Sequence, residues 1–190
     1  MKNKKIITIV GSALLVAVIV IGMFVSPYNT LVSLEEQVND KYGNISSTIQ
    51  RRADLIPNLV NTVKGYAKHE EQTFTNITNA RAGVSNAKTP EELAKADSDL
   101  TKALNGINVI VEAYPDLKAN KNFIGLQDEL AGTENRIAVA RKDYNDIVKI
   151  YNTEVRSFPT SIVAKFTGFE KKEYFKADEN ANDVPVINFE

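Results

Sequence analysis

Residues 6–25, IITIVGSALLVAVIVIGMFV, carry no charged side chain, and no other feature of the chain narrows its possible folds so far. Twenty helical residues at ~1.5 Å each span about 30 Å, the thickness of a bilayer's hydrocarbon core. A helix that is apolar on every face does not belong on the surface of a water-soluble domain. Lys2, Lys4 and Lys5 precede the run, and the first charges after it are Glu35, Glu36 and Asp40. The positive-inside bias therefore predicts a cytoplasmic stub over 1–5, a transmembrane signal anchor over 6–25, and residues 27–190 on the far side of the membrane. The rival is a cleaved signal peptide. Against it stand the length of the run and the lack of a small-residue cleavage site, since Ser26 is followed by Pro27.

The net charge of the chain is −1, and leaving out Lys2, Lys4 and Lys5 makes it three lower, −4, for the remainder. Nucleic-acid binding depends on neutralising phosphates, so this balance argues against such a partner. With no cysteine, disulfides, thiolate zinc sites and thiol nucleophiles are excluded.

Beyond the anchor, apolar residues recur at helical spacing in four segments. The first runs from about Pro27 to Arg52, with Leu31, Val38 and Ile45 seven apart and Ser26-Pro27 as a cap-and-proline start. A bend is expected at Pro27. The second runs from about Asp54 to Val84; Pro57 does not suit a helix interior, so the chain is expected to break near Asp54, which serves as the cap. Ile56, Val63, Ile77 and Val84 share its phase, and Glu70 fills the remaining place. The third opens at Thr89-Pro90-Glu91-Glu92, a capping box, and carries Leu93, Leu100, Ile107 and Tyr114 before Pro115. The fourth carries Phe123, Leu130, Ile137, Tyr144, Tyr151 and Phe158, all seven apart, before Pro159. No segment alternates with period two long enough for a sheet. The fold class is therefore all-α: a transmembrane helix followed by an antiparallel bundle of about four long helices over 27–159. Residues 160–190 form a C-terminal segment. Ile162, Val163, Phe166, Phe169, Tyr174 and Phe175 are expected to pack on one end of the bundle, with a polar stretch at 176–183 and an apolar cluster at 184–189.

Candidate chemistry is sparse. The single histidine, His69, lacks the second histidine of an H-E-x-x-H helix, because Thr73 stands in its place. There is no glycine-rich phosphate loop, and no cofactor is expected. Glu70 and Glu134 are the carboxylates nearest the apolar stripes. Glu134 lies seven residues before Arg141, which suggests a polar seam along the fourth helix that fixes register, with Glu70 meeting an Arg or Asn from a neighbouring helix. Arg51 and Arg52 suit the end of the first helix and also an acidic partner. Tyr-Asn recurs at Tyr28-Asn29, Tyr144-Asn145 and Tyr151-Asn152. The last two lie on one face, with their amides expected to bond across helices; an aromatic ligand site is the alternative.

Longer strings carry a resemblance. Tyr28-Asn29, then Gln50-Arg51-Arg52-Ala53-Asp54-Leu55-Ile56-Pro57-Asn58-Leu59-Val60, then Val63-Lys64-Gly65-Tyr66-Ala67, resemble the signature of the LemA family of bacterial membrane proteins. Ala80-Arg81, Tyr114-Pro115-Asp116-Leu117, Thr133-Glu134-Asn135-Arg136 and the two later Tyr-Asn pairs match as well. Tyr42 departs from the family's usual Trp while keeping an aromatic residue. The resemblance implies a signal anchor with an external helical domain and no catalytic residues to carry over.

Three readings follow. The first is a non-catalytic scaffold or interaction module of the cell envelope, whose partner is another envelope protein or a second copy. The second is a ligand-sensing bundle using the seam of Asn58, Glu70, Glu134, Arg141 and Tyr144. The third is a hydrolase using Glu70 or Glu134.

Overall fold

The computed structural model describes the backbone of residues 2–176, and side chains from residue 10 onward except 13, 16, 17, 19 and 20. These residues form six helices: α1 Lys2–Lys64, α2 Glu71–Asn86, α3 Pro90–Ala113, α4 Pro115–Lys118, α5 Lys121–Arg156 and α6 Thr160–Thr167. There is no strand among the described residues, so the all-helical class holds. Among them, no helix is long and apolar enough to cross a membrane. The expected span over 6–25 falls in part on side chains outside the described residues, as do the polar stretch at 177–183 and the apolar cluster at 184–189.

The first two expected segments are not separated where the prolines stand. α1 is continuous through Pro27 and Pro57. Proline has no N–H to give, so the carbonyl four residues before Pro57, that of Ala53, loses its helical donor. Arg81 of α2 replaces it, its Nε donating to the Ala53 carbonyl at 3.0 Å. Asp54 is consequently a mid-helix residue rather than a cap. It accepts from Gln50 Nε2 at 2.9 Å and lies 3.9 Å from Arg81 Nη2.

The real break comes later, at residues 65–70, inside the expected second helix. This turn begins at Gly65 and buries Ala67. Asn120 Nδ2 donates to Tyr66 Oη across it at 2.8 Å. The Asn120 Oδ1 meanwhile accepts from the N–H groups of Asn122 and Phe123 at the start of α5. Glu70 therefore sits at the N-cap position of α2, with no side-chain cap bond, and is not in a helical stripe. The α3 start is as expected. Thr89 Oγ1 accepts from the Glu92 N–H at 3.1 Å, and Glu92 Oε2 accepts from the Thr89 N–H at 3.2 Å.

The chain divides into two compact units. The first comprises Met1–Asp40 and Asp146–Lys172, and its core holds Leu31, Val38, Val148, Tyr151, Val163 and Ala164. Phe158 lies past the end of α5 and is exposed, so the expected heptad series stops at Tyr151. The second unit comprises Lys41–Asn145 and Glu173–Glu190, with Ile45, Ile49, Ile56, Ile77, Leu100, Phe123 and Ile137 in its core. There α2 packs on α3 closely enough that a Cβ on Gly106 would lie 2.8 Å from Thr73 Cγ2.

Candidate functional site

In the second unit the apolar faces of three helices carry four charges. Arg52 follows Ile49 by three residues and precedes Ile56 by four, which puts it on the buried face of α1. Asp97 stands in a similar relation to Leu93 and Leu100 on α3. Glu134 and Arg141 flank Ile137 on α5. Arg52 Nη1 is 3.1 Å from Asp97 Oδ1 and 2.6 Å from Glu134 Oε2. Arg141 Nη2 is 3.2 Å from Asp97 Oδ2. The order Glu134, Arg52, Asp97, Arg141 alternates in sign and sums to zero.

Removing these charges from water is costly, and each is met by an opposite partner. Burial pushes the Asp97 carboxyl above its usual range; Arg52 opposes the rise, Glu134 adds to it and Arg141 opposes it. The Nε atoms of Arg52 and Arg141 are buried without a hydrogen-bond partner among the described residues. Glu134 Oε2 is close to Arg52, but their angle is not that of a hydrogen bond.

Next to this cluster, within the second unit, lies Phe175. Gly168 ends α6 in the left-handed conformation, at φ 81°, and the chain continues without helix to residue 176. Within the second unit, Asn145 grips Phe175 on both sides. Its Nδ2 donates to the Phe175 carbonyl at 3.0 Å, and its Oδ1 accepts from the Phe175 N–H at 2.8 Å. Tyr144 Oη donates to the Glu173 carbonyl at 2.9 Å. The Phe175 ring is fully buried, edge-on to Tyr144 at 6.5 Å, with the Arg141 guanidinium 5.6 Å from its centre. Burial pushes the Tyr144 hydroxyl up to about 12, with smaller contributions from Tyr42 and Glu173.

Within the first unit the next Tyr-Asn pair does the same. Asn152 Nδ2 donates to the Lys172 carbonyl at 2.8 Å, and Asn152 Oδ1 accepts from the Lys172 N–H at 2.9 Å. The Lys172 ammonium lies 2.6 Å from Glu35 Oε1 and 5.7 Å from the centre of the Tyr151 ring. Burial, then Glu35 and Glu170, push the Tyr151 hydroxyl up to about 12.

The structure thus brings together Arg52, Glu134, Arg141, Tyr144 and Asn145. Arg51 and Asn58 are exposed on α1, Asp54 pairs with Arg81, and Glu70 lies in the turn before α2. Asp97 was not foreseen, although its place in the Leu93–Leu100 stripe is a visible signal. The amides of Asn145 and Asn152 hold the backbone of the C-terminal segment instead of bonding across helices. A carboxamide offers one donor and one acceptor, the complement of one residue's N–H and C=O. Among the described residues, no group of three or more His, Asp or Glu could hold a metal ion. What the arrangement does chemically is to hold a non-helical segment against helices and set its register.

Among known proteins, the model of the LemA family matches residues 41–189. The magnetosome protein MamQ 2 of Paramagnetospirillum magneticum is 31% identical over 186 residues, covering 84% of this chain and 68% of its own length. The magnetosome protein MamQ of Magnetospirillum gryphiswaldense is 28% identical, with the same coverage. Protein LemA of Metamycoplasma hominis is 26% identical over 170 residues, 85% of this chain and 76% of its own.

Proposed function

The chain belongs to the LemA family, and on that premise we propose that it is a membrane-anchored, non-catalytic helical protein that serves as a scaffold or interaction module of the bacterial cell envelope. The observation that carries this reading is the start of α1. Val10, Leu14, Leu15, Val18, Ile21, Met23 and Val25 are each more than half exposed. At 3.6 residues per turn six of them lie within about 140° of the helix circumference and Met23 lies apart, and the uncharged sequence of 6–25 leaves the rest of the circumference without a charged position. Exposed apolar side chains, within an uncharged run of bilayer length, favour lipid as their surroundings. Lys2, Lys4 and Lys5 set the orientation, with residues 27–190 extracytoplasmic.

Orientation is tested with Val109→Cys, because the chain has no cysteine of its own and Val109 is exposed. Labelling of intact cells by a membrane-impermeant maleimide is expected; labelling only after lysis would reverse the topology. Cross-linking of the full chain in its native membranes then tests the scaffold role. A reproducible partner, lost on charge reversal at an exposed helical residue, is the expected result. Capture of nothing, not even a second copy, would remove the scaffold reading.

One observation favours a ligand-sensing role as the second reading. An open groove of about 1120 Å³ runs between α3 and residues 173–176, lined by Glu91, Lys95, Ser98 and Lys102 opposite Glu173 and Tyr174. A ligand seated there stabilises the fold by mass action, so a thermal-shift screen decides it.

A further inference from the structure

Phe158 and Phe166, each 78% exposed, have the most exposed large apolar side chains among the described residues. Ile162 is 46% exposed. The three are spaced at four-residue intervals, so Ile162 and Phe166 share one face of α6, and Phe158 precedes the helix at the same interval. The opposite face of α6, with Thr160, Val163 and Ala164, is buried in the first unit. A short helix that is apolar both towards its own core and away from it has a second apolar environment to satisfy.

Its place in the fold says which one. The Phe169 ring, just past the end of α6, packs edge-on against Tyr28 with centroids 5.9 Å apart. Tyr28 lies three residues beyond Val25, the end of the uncharged run, which is ~4.5 Å along α1 at ~1.5 Å per residue. Between Val155 and Phe169 the charged residues are Arg156 and Lys165, both exposed; the bordering carboxylates are Glu154, which accepts from Thr160 Oγ1 at 2.7 Å, and Glu170 beyond Phe169. Aromatic and aliphatic side chains beside isolated cations are the composition of a surface that lies in the headgroup region of anionic lipid.

We infer that α6 is a second membrane contact. Phe158, Ile162 and Phe166 enter the headgroup–acyl boundary beside the point where α1 leaves the bilayer, and Arg156 and Lys165 face lipid phosphates. The inference rests on the reading of residues 6–25 as a membrane anchor.

The chain has no tryptophan, so single-tryptophan variants report local depth. Phe166→Trp and Leu15→Trp are each reconstituted, as full chains, into phosphatidylcholine–phosphatidylglycerol vesicles carrying bromine at shallow or deep acyl positions. The expected result is a blue-shifted Phe166→Trp emission that shallow bromine quenches more than deep bromine, and a Leu15→Trp emission quenched from within the acyl region. Quenching of Leu15→Trp alone would overturn the α6 contact and leave the anchor standing. Quenching of Phe166→Trp alone would sink the anchor and, with it, the inference of a second contact beside that anchor. Quenching of neither would remove both. A blue shift of Phe166→Trp that follows protein density, without quenching, would assign the face to a second copy and overturn the inference.

Discussion

The two Tyr-Asn clamps use the same chemistry on residues of opposite character. Asn145 and Asn152 each make two hydrogen bonds to one backbone residue of the C-terminal segment. In the second unit the held residue is Phe175, buried beside Tyr144 and Arg141. In the first it is Lys172, a third exposed and paired with Glu35. The amide reads only the backbone, so it sets register without choosing a side chain. The energy of attachment then depends on what the side chain finds: an apolar pocket in one unit, a solvent-screened ion pair in the other. The tyrosines differ as well. Tyr144 donates to a carbonyl, whereas the Tyr151 hydroxyl has no partner among the described residues.

The largest expected effect tests the aromatic end. Phe175→Ala should destabilise the protein by about 3–5 kcal/mol, through lost burial and the cavity left behind. Denaturant unfolding of the detergent-solubilised full chain measures it, and amide exchange at residues 173–176 should accelerate. Asn145→Ala and Asn152→Ala should each cost about 1–3 kcal/mol, because each leaves a partly buried N–H and C=O unpaired. Similar costs at the two sites would show that the amide contribution is independent of the side chain held. Tyr144→Phe should cost about 1 kcal/mol, and Tyr151→Phe close to nothing or a slight gain. Equal losses from the two would erase the distinction between their hydroxyls. Lys172→Ala should cost no more than about 1 kcal/mol, the range of exposed ion pairs, and less at high salt. A loss at Lys172 matching that at Phe175 would break the comparison outright.

Titration sharpens the same contrast. Asp97 has a folded pKa above its ordinary 3.8. Its contribution to stability is therefore fully present below that value and is lost as pH rises through the raised folded value, because the native state binds the extra proton. Asp97→Asn should flatten stability against pH in that interval. For Tyr144 and Tyr151, raised from 10.0 to about 12, stability is present below pH 10 and lost as pH rises through about 12. Absorbance titration should show tyrosines ionising late, with Tyr144→Phe and Tyr151→Phe each removing one such component.

Much of the local structure was legible in the residues. The Thr89-Pro90-Glu91-Glu92 start depends on groups within four positions of one another, and it forms as read. The spacing of Leu93, Leu100 and Ile107 marked a buried face for the same reason. Pro57 was misleading because its effect is not local. A proline breaks a helix when the orphaned carbonyl finds no donor, and here the donor, Arg81, comes from 28 residues further on. Glu70 shares a heptad phase with Val63 and Ile77 only because the seven-residue count happens to continue across the turn that separates α1 from α2. Asp97 was visible as a carboxylate within an apolar stripe, but its partners Arg52 and Arg141 lie on other helices. The repeat of Tyr144-Asn145 and Tyr151-Asn152 was plain, while what the amides hold was not.

By itself, the sequence determined the helical class, the uncharged segment, the capped start of α3 and the face on which Tyr144 and Tyr151 lie. These follow from periodicity and from hydrogen bonds spanning a few residues. Tertiary structure alone decided that α1 is continuous through Pro57, that four charges neutralise one another within the second unit, and that two asparagines grip the returning chain. Each of those depends on a donor and an acceptor far apart in sequence, whose meeting is set by how apolar faces pack, and packing is non-directional until the whole unit has formed.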